Sequence, residues 1–224
     1  LTDIGIGVTS DVIAGINRAV LSGAHIINMS LGRSGPGTND DSDASYYALK
    51  QARDHNANGV LVVAAAGNDN GADNDTIPVY PASYDLNNII AVGASNRDDE
   101  IADLSNIGAT SVDLVAPGVA IRSTLPDNLY GESNGTSMAA PYVAGAAAIL
   151  LAQEPNQSYV DLRTRILNSV DKKDAFKDIT VTGGRLNLNN ALAAYGGAQI
   201  QATNIILKPL GNDDAFWTEG ELLQ

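Results

Sequence analysis

The apolar positions along this 224-residue chain switch period several times, from helical to strand-like and back. Val12, Ile13, Ile16, Ala19 and Val20 follow Ser10 at helical spacing and stop at Gly23, which predicts a first helix. Ile26 to Leu31 then reads as a short buried strand closing at Gly32, and residues 33–42 are a loop by composition. Ser42 or Asp43 is placed to cap a second helix that runs to about His55. Val60 to Ala66 is apolar at every position, as expected of a strand covered on both faces, and Asn88 to Gly93 repeats the pattern. Further strand-like pieces surround Pro117-Gly118 between Val112 and Thr124. Later helices are predicted from about Ser137, near 158–169 and near 188–195.

Strands alternating with helices make βαβ units and a parallel sheet, so the expected class is α/β. Ligands of such sheets bind beyond the carboxyl ends of the strands. That rule puts Ser30-Leu31-Gly32 and Gly67-Asn68 on one functional edge. Past Gly196-Gly197 the character changes to a β-leaning stretch over Gln199–Leu207 and an acidic tail with Trp217. Residues 1–196 are therefore expected as one domain, and 197–224 as an extension or the start of another.

An apolar share of 44% supports a sizeable core, and 17% charged residues is low for a disordered chain. The net charge of −13 argues against nucleic acid or an anionic membrane as a partner. There is no cysteine, which excludes disulfides and zinc–thiolate sites. No uninterrupted apolar run has membrane-spanning length, and the N-terminus lacks the pattern of a signal peptide. The opening Leu-Thr-Asp-Ile-Gly-Ile-Gly gives the impression of a piece of something longer.

Candidate chemistry concentrates in Asn134-Gly135-Thr136-Ser137-Met138-Ala139-Ala140-Pro141, a turn that delivers a serine onto the start of a small-residue helix. There Thr136 or Ser137 could cap the helix, and free N–H groups and the positive dipole end favour negative charge on a reacting oxygen. Ala64-Ala65-Ala66-Gly67-Asn68 closes a buried strand with a carboxamide, a donor uncharged at every pH. Read alone, Asn68 would equally suit a turn, and Ser137 a cap.

The run Gly-Thr-Ser-Met-Ala-Ala-Pro-x-Val-Ala-Gly resembles the nucleophile segment of the subtilisin-like serine proteases, which usually carry His where this chain has Tyr142. The Ala-Ala-Gly-Asn and Ser-Leu-Gly runs are similar to the same family, so the resemblance covers about residues 5–196. It implies a three-layer fold whose mostly parallel sheet is flanked by helices, lacking its N-terminal part. It also implies Ser137 as nucleophile and Asn68, beside the Ser137 N–H, as oxyanion donor, with Thr136 among the substrate-binding residues. Ser30, Leu31 and Gly32 would pair with an extended polypeptide substrate, a form of strand addition. Ala65, Ala66 and Gly67 would form the opposite wall of a side-chain pocket, with Val79 at a base where relatives often have glycine.

Calcium is the cofactor the resemblance suggests, held by the Ala82 and Tyr84 carbonyls and the Asp113 carboxylate. The acidic loop 69–75 lacks EF-hand spacing and reads as solvated. Neither histidine, His25 or His55, stands in a His-Gly-Thr-His-like segment, and no Asp-Thr-Gly or Asp-Ser-Gly occurs. The base and its orienting Asp are thus expected from an absent N-terminal segment, in the same gene product or in a separate piece after a nick, so the expected partners include an N-terminal fragment or propeptide of the same protein. The resemblance implies secretion. The alternative reading is a protease-like fold kept as a catalytically inactive peptide-binding or scaffold module.

Overall fold

The structure, a computed structural model, describes residues 7–35 and 37–193. The 197–224 extension, the Gln199–Leu207 stretch and the end of the last helix at Tyr195 lie outside the described residues. Helix α1 (Thr9–Leu21) and helix α2 (Ala44–Asp54) flank strands β1 (Ile26–Met29) and β2 (Arg33–Ser34). Next come β3 (Leu61–Ala65), β4 (Val79–Tyr80), β5 (Ile89–Ser95) and β6 (Leu114–Pro117). A hairpin of β7 (Ile121–Leu125) and β8 (Leu129–Ser133) leads into α3 (Thr136–Gln153). Helix α4 (Tyr159–Asn168), β9 (Asp171–Lys172), β10 (Gly184–Arg185) and α5 (Leu188–Ala193) close the described chain.

The six-stranded sheet has the order β1-β3-β5-β6-β10-β9. Strands β1, β3, β5, β6 and β10 pair in parallel, and β9 is antiparallel to β10. All five β3 residues are buried because alternate side chains face opposite layers. Leu61, Val63 and Ala65 pack towards α3 and α4, whereas Val62 and Ala64 pack towards α1 and α2. The expected three-layer α/β architecture is therefore the observed one.

Helix starts match the sequence-based expectation where a cap is chemical. Asp43 accepts from the Ser45 and Tyr46 N–H groups at the start of α2, and Ser158 with Asp161 forms a capping box on α4. The start of α3 differs from expectation. Neither Thr136 nor Ser137 caps it; Gly135 is the N-cap, at φ 153°, and has no side chain with which to cap the helix. A residue with a Cβ would be strained there. The β7–β8 hairpin is not evident from apolar periodicity, although Asp127 (φ 62°) and Asn128 (φ 57°) supply the left-handed turn residues such hairpins favour.

Helix α3 has the length and apolar composition to cross a membrane, unlike any uninterrupted run in the sequence. Instead it packs on β1, β3, β5 and β6. One stripe of it remains exposed, through Tyr142, Gly145, Ala148, Ile149 and Ala152. Those positions recur at helical spacing, so they share one face.

Candidate active site

The parallel register aligns Met29 on β1 with Ala64 on β3, so both chains leave the sheet at the same carboxyl edge. Ser30-Leu31-Gly32 and Ala65-Ala66-Gly67-Asn68 follow directly, and the N-terminus of α3 meets them there. Ser30 Oγ donates to the Ser137 carbonyl at 2.8 Å, and Ser137 Oγ lies 3.3 Å from the Ser30 carbonyl. The first contact has a local cause. Pro141, four residues after Ser137, has no N–H to give the Ser137 carbonyl its helical hydrogen bond. The Ser30 hydroxyl supplies the missing donor, itself receiving a bond from Asn28 Nδ2 at 2.9 Å.

Thr136 turns its polar groups across to the β3 edge. Its N–H donates to Asn68 Oδ1 at 2.9 Å, and its hydroxyl lies 3.0 Å from the same oxygen. The Gly67 N–H donates back to Thr136 Oγ1 at 3.2 Å. With Oδ1 so engaged, the Asn68 amide nitrogen is left on the side of Gly135; a Cβ on Gly135 would stand 3.4 Å from it. Asn68 is exposed and Ser137 half-buried, so both can reach a bound substrate. The Ser137 N–H is one of the first four of α3, which have no acceptor inside the helix.

Val79 is buried between the two walls. A Cβ on Gly32 would lie 3.0 Å from one Val79 methyl, and a Cβ on Gly67 would lie 3.3 Å from the other. Its side chain therefore occupies the space that two glycines and a smaller residue would leave open. A cavity of about 280 Å³ is lined by Leu31 and Gly32 together with Val12, Ile16, Arg33 and Tyr80.

The two histidines are far from this edge. His25 precedes β1 and His55 is the C-cap of α2 ahead of β3, which puts both at the amino ends of the strands. The four residues of β1 separate His25 from Ser30, five steps or about 16 Å at ordinary rise.

Ala82, Tyr84 and Asp113 line one open cavity of about 510 Å³ together with Arg163. The expected calcium ligands are thus neighbours, but the carboxylate is already committed. Asp113 Oδ1 accepts from Arg163 Nη2 at 2.7 Å and Oδ2 from the Ala91 N–H at 2.8 Å, while Arg163 Nε donates to the Ile89 carbonyl at 3.1 Å. The Arg163 guanidinium therefore holds the one carboxylate that a cation would need here. Burial pushes the Asp113 carboxyl up from its ordinary range, against the opposing pull of Arg163. As arranged, these residues do not fit a calcium ion, and no cluster of three or more His, Cys, Asp or Glu suited to a metal occurs among the described residues.

A serine at a helix N-terminus and a carboxamide facing it from the neighbouring strand edge, on a parallel α/β sheet, together make an arrangement able to hold negative charge on a reacting oxygen. Similarity to known proteins specifies it further. Residues 4–196 match the Peptidase S8, subtilase family, and the chain belongs to that family. It is 43% identical over 167 residues to subtilisin DY of Bacillus licheniformis, covering 74% of this chain and 57% of that protein. It is 42% identical over 193 residues to a thermophilic serine proteinase of Bacillus sp. strain AK1, covering 84% of this chain and 42% of that one. The chain thus spans about half the length of these curated relatives. Among solved structures, the prenylagaramide maturation protease PagA superposes with a TM-score of 0.73 at 28% identity, over 86% of this chain and 70% of PagA. The self-cleaved protease domain of PatA gives 0.68 at 31% identity, over 84% of this chain and 68% of that one.

Proposed function

We propose that this chain is the nucleophile-bearing part of a serine endopeptidase. The observation that carries the reading is the Ser137–Thr136–Asn68 arrangement: a hydroxyl at a helix start with a carboxamide nitrogen turned to the same side. In the proposed reaction Ser137 Oγ bonds to the scissile carbonyl carbon and gives its proton to a base. The base returns it to the leaving amine, and water then hydrolyses the acyl-enzyme. Asn68 Nδ2 and the Ser137 N–H hold the oxygen that becomes negative, and the substrate backbone adds alongside Ser30–Gly32.

The base and the carboxylate that orients it belong to an N-terminal segment outside these residues. Two features support a covering segment. Among the described residues strand β1 is an edge of the sheet, and the exposed apolar stripe of α3 lies on the helix that carries Ser137. A parallel strand added to β1 would release its next residues beside Ser30, within reach of Ser137. An extracellular site of action belongs to the same proposal. The second reading, a peptide-binding module without catalysis, draws on the Ser137 hydroxyl facing the Ser30 carbonyl with neither histidine near.

A fluorophosphonate probe separates the two. The chain alone is expected to label at Ser137 very slowly, and the chain mixed with the family's N-terminal catalytic segment to label readily. Absence of labelling in both would leave the binding module standing.

Pocket depth gives a second expected outcome. In the complemented enzyme, Val79→Gly should raise the kcat/KM ratio for Phe over Val before the scissile bond by at least about tenfold, because one or two methylenes in a pocket decide factors of that size. An unchanged ratio would place the pocket elsewhere.

A further inference from the structure

We propose that Asn106, which nothing in the sequence marked, is a positioning residue for the oxyanion donor Asn68. The inference rests on the reading of Asn68 given above. Asn106 lies 37 residues from the Asn68 loop in sequence and is fully buried, with no exposed surface. Its backbone N–H donates to the Gly67 carbonyl at 3.0 Å. Its side-chain Oδ1 accepts from the Asp69 N–H at 2.7 Å, and its Nδ2 donates to Asp69 Oδ2 and to Asn74 Oδ1, both at 3.0 Å. One residue therefore grips the chain immediately before and immediately after Asn68.

The grip extends further. Asn74, also buried, donates from Nδ2 to the Ala66 carbonyl at 2.8 Å, and the Asn70 N–H donates to the Leu104 carbonyl at 3.2 Å. Close approach is built in at Gly67, which has φ 116°; a Cβ there would fall 2.5 Å from Asn106 Nδ2. Both amide hydrogens of Asn106 and one lone pair of its oxygen are used, so the side chain is held by three bonds at the centre of the network. Asn68 itself is exposed, and its side chain is held at Oδ1 by Thr136. The loop clamp fixes where the Asn68 backbone stands, and Thr136 then fixes which way its amide faces. An oxyanion hole depends on donors that do not reorganise during reaction, and this pair of restraints supplies that rigidity.

The test is a double-mutant cycle on turnover, using the chain complemented with its N-terminal catalytic segment and counting active sites by fluorophosphonate titration. Asn106→Ala should lower kcat at least tenfold with KM within about twofold, the signature of lost transition-state stabilisation. In an Asn68→Ala background the same change should lower kcat by less than twofold, because its route to the reaction is already gone. If Asn106→Ala yields no titratable sites, Asn106→Ser carries the measurement with the same expected coupling. Parental kcat in the Asn106 variants, or an equal loss in both backgrounds, would overturn the proposal and leave Asn68 in place. A parent that neither labels nor turns over would instead overturn the endopeptidase reading, and this inference with it.

Discussion

Asn68→Ala should lower turnover of the complemented enzyme about 10²–10³-fold while leaving KM nearly unchanged, the loss known for removing one such donor from a subtilisin. The structural reason is that the Asn68 side chain is oriented before any substrate arrives. Its oxygen accepts from the Thr136 N–H, so its nitrogen cannot turn away without breaking that bond and leaving a partly buried donor unpaired. The ground-state carbonyl gains little from the amide, whereas the tetrahedral oxyanion gains a charge-assisted bond. The effect thus belongs to kcat. Asn68→Asp should be worse than Asn68→Ala at neutral pH, because a carboxylate can still accept from Thr136 but sets negative charge beside the forming oxyanion. Steady-state kinetics on a peptide amide checks both. An Asn68→Ala enzyme with parental kcat would remove Asn68 from the oxyanion hole.

Arg163→Leu is expected to destabilise the domain by about 3 kcal/mol at neutral pH, the lower end for removing one partner of a buried pair. The lower end is appropriate because the Arg163 side chain keeps 32% of its exposure, against 10% for Asp113. What is left behind is a carboxylate with one remaining donor, the Ala91 N–H, inside the layer between β5 and β6. The sign of the pH dependence follows. Burial already raises the Asp113 carboxyl, and loss of Arg163 raises it further. A carboxyl whose folded pKa exceeds its unfolded value is a cost above the folded pKa, and the cost disappears as pH falls through it to the unfolded value. Denaturant midpoints of Arg163→Leu should therefore approach the parent near pH 4 and fall behind as pH rises. Adding Asp113→Asn should restore most of the loss at pH 7, since no charge is then stranded. Failure of that double variant to recover would mean that Arg163 acts through packing alone. The same pair bears on calcium. With the guanidinium in place, added calcium has little to stabilise here.

The elements most legible in the sequence were those whose signal is local. The unbroken apolar run became β3 and the Asp43 cap began α2, because periodicity and capping act over a few residues. The Gly-Thr-Ser-Met-Ala and Gly-Asn runs named Ser137 and Asn68 for the same reason. The two-residue strands β2, β4, β9 and β10 were not legible, since no period can be read from a pair of residues. Strand β8 could have been found from the Asp127-Asn128 turn beside alternating residues.

Taken by itself, the sequence determined the α/β class and the family, singled out Ser137 and Asn68 as candidates for nucleophile and oxyanion donor, and placed neither histidine in a catalytic motif. Sheet register and packing decided the rest. Ser30 fills the carbonyl that Pro141 leaves open 107 residues away, Arg163 takes the carboxylate expected to hold calcium, and Asn106 grips both sides of Asn68. Each of these contacts joins residues distant in the chain through groups that are ordinary in their local context. A lone Asn, Arg or Ser has no periodic signature, so its partner exists only once parallel strands have brought their ends to one edge.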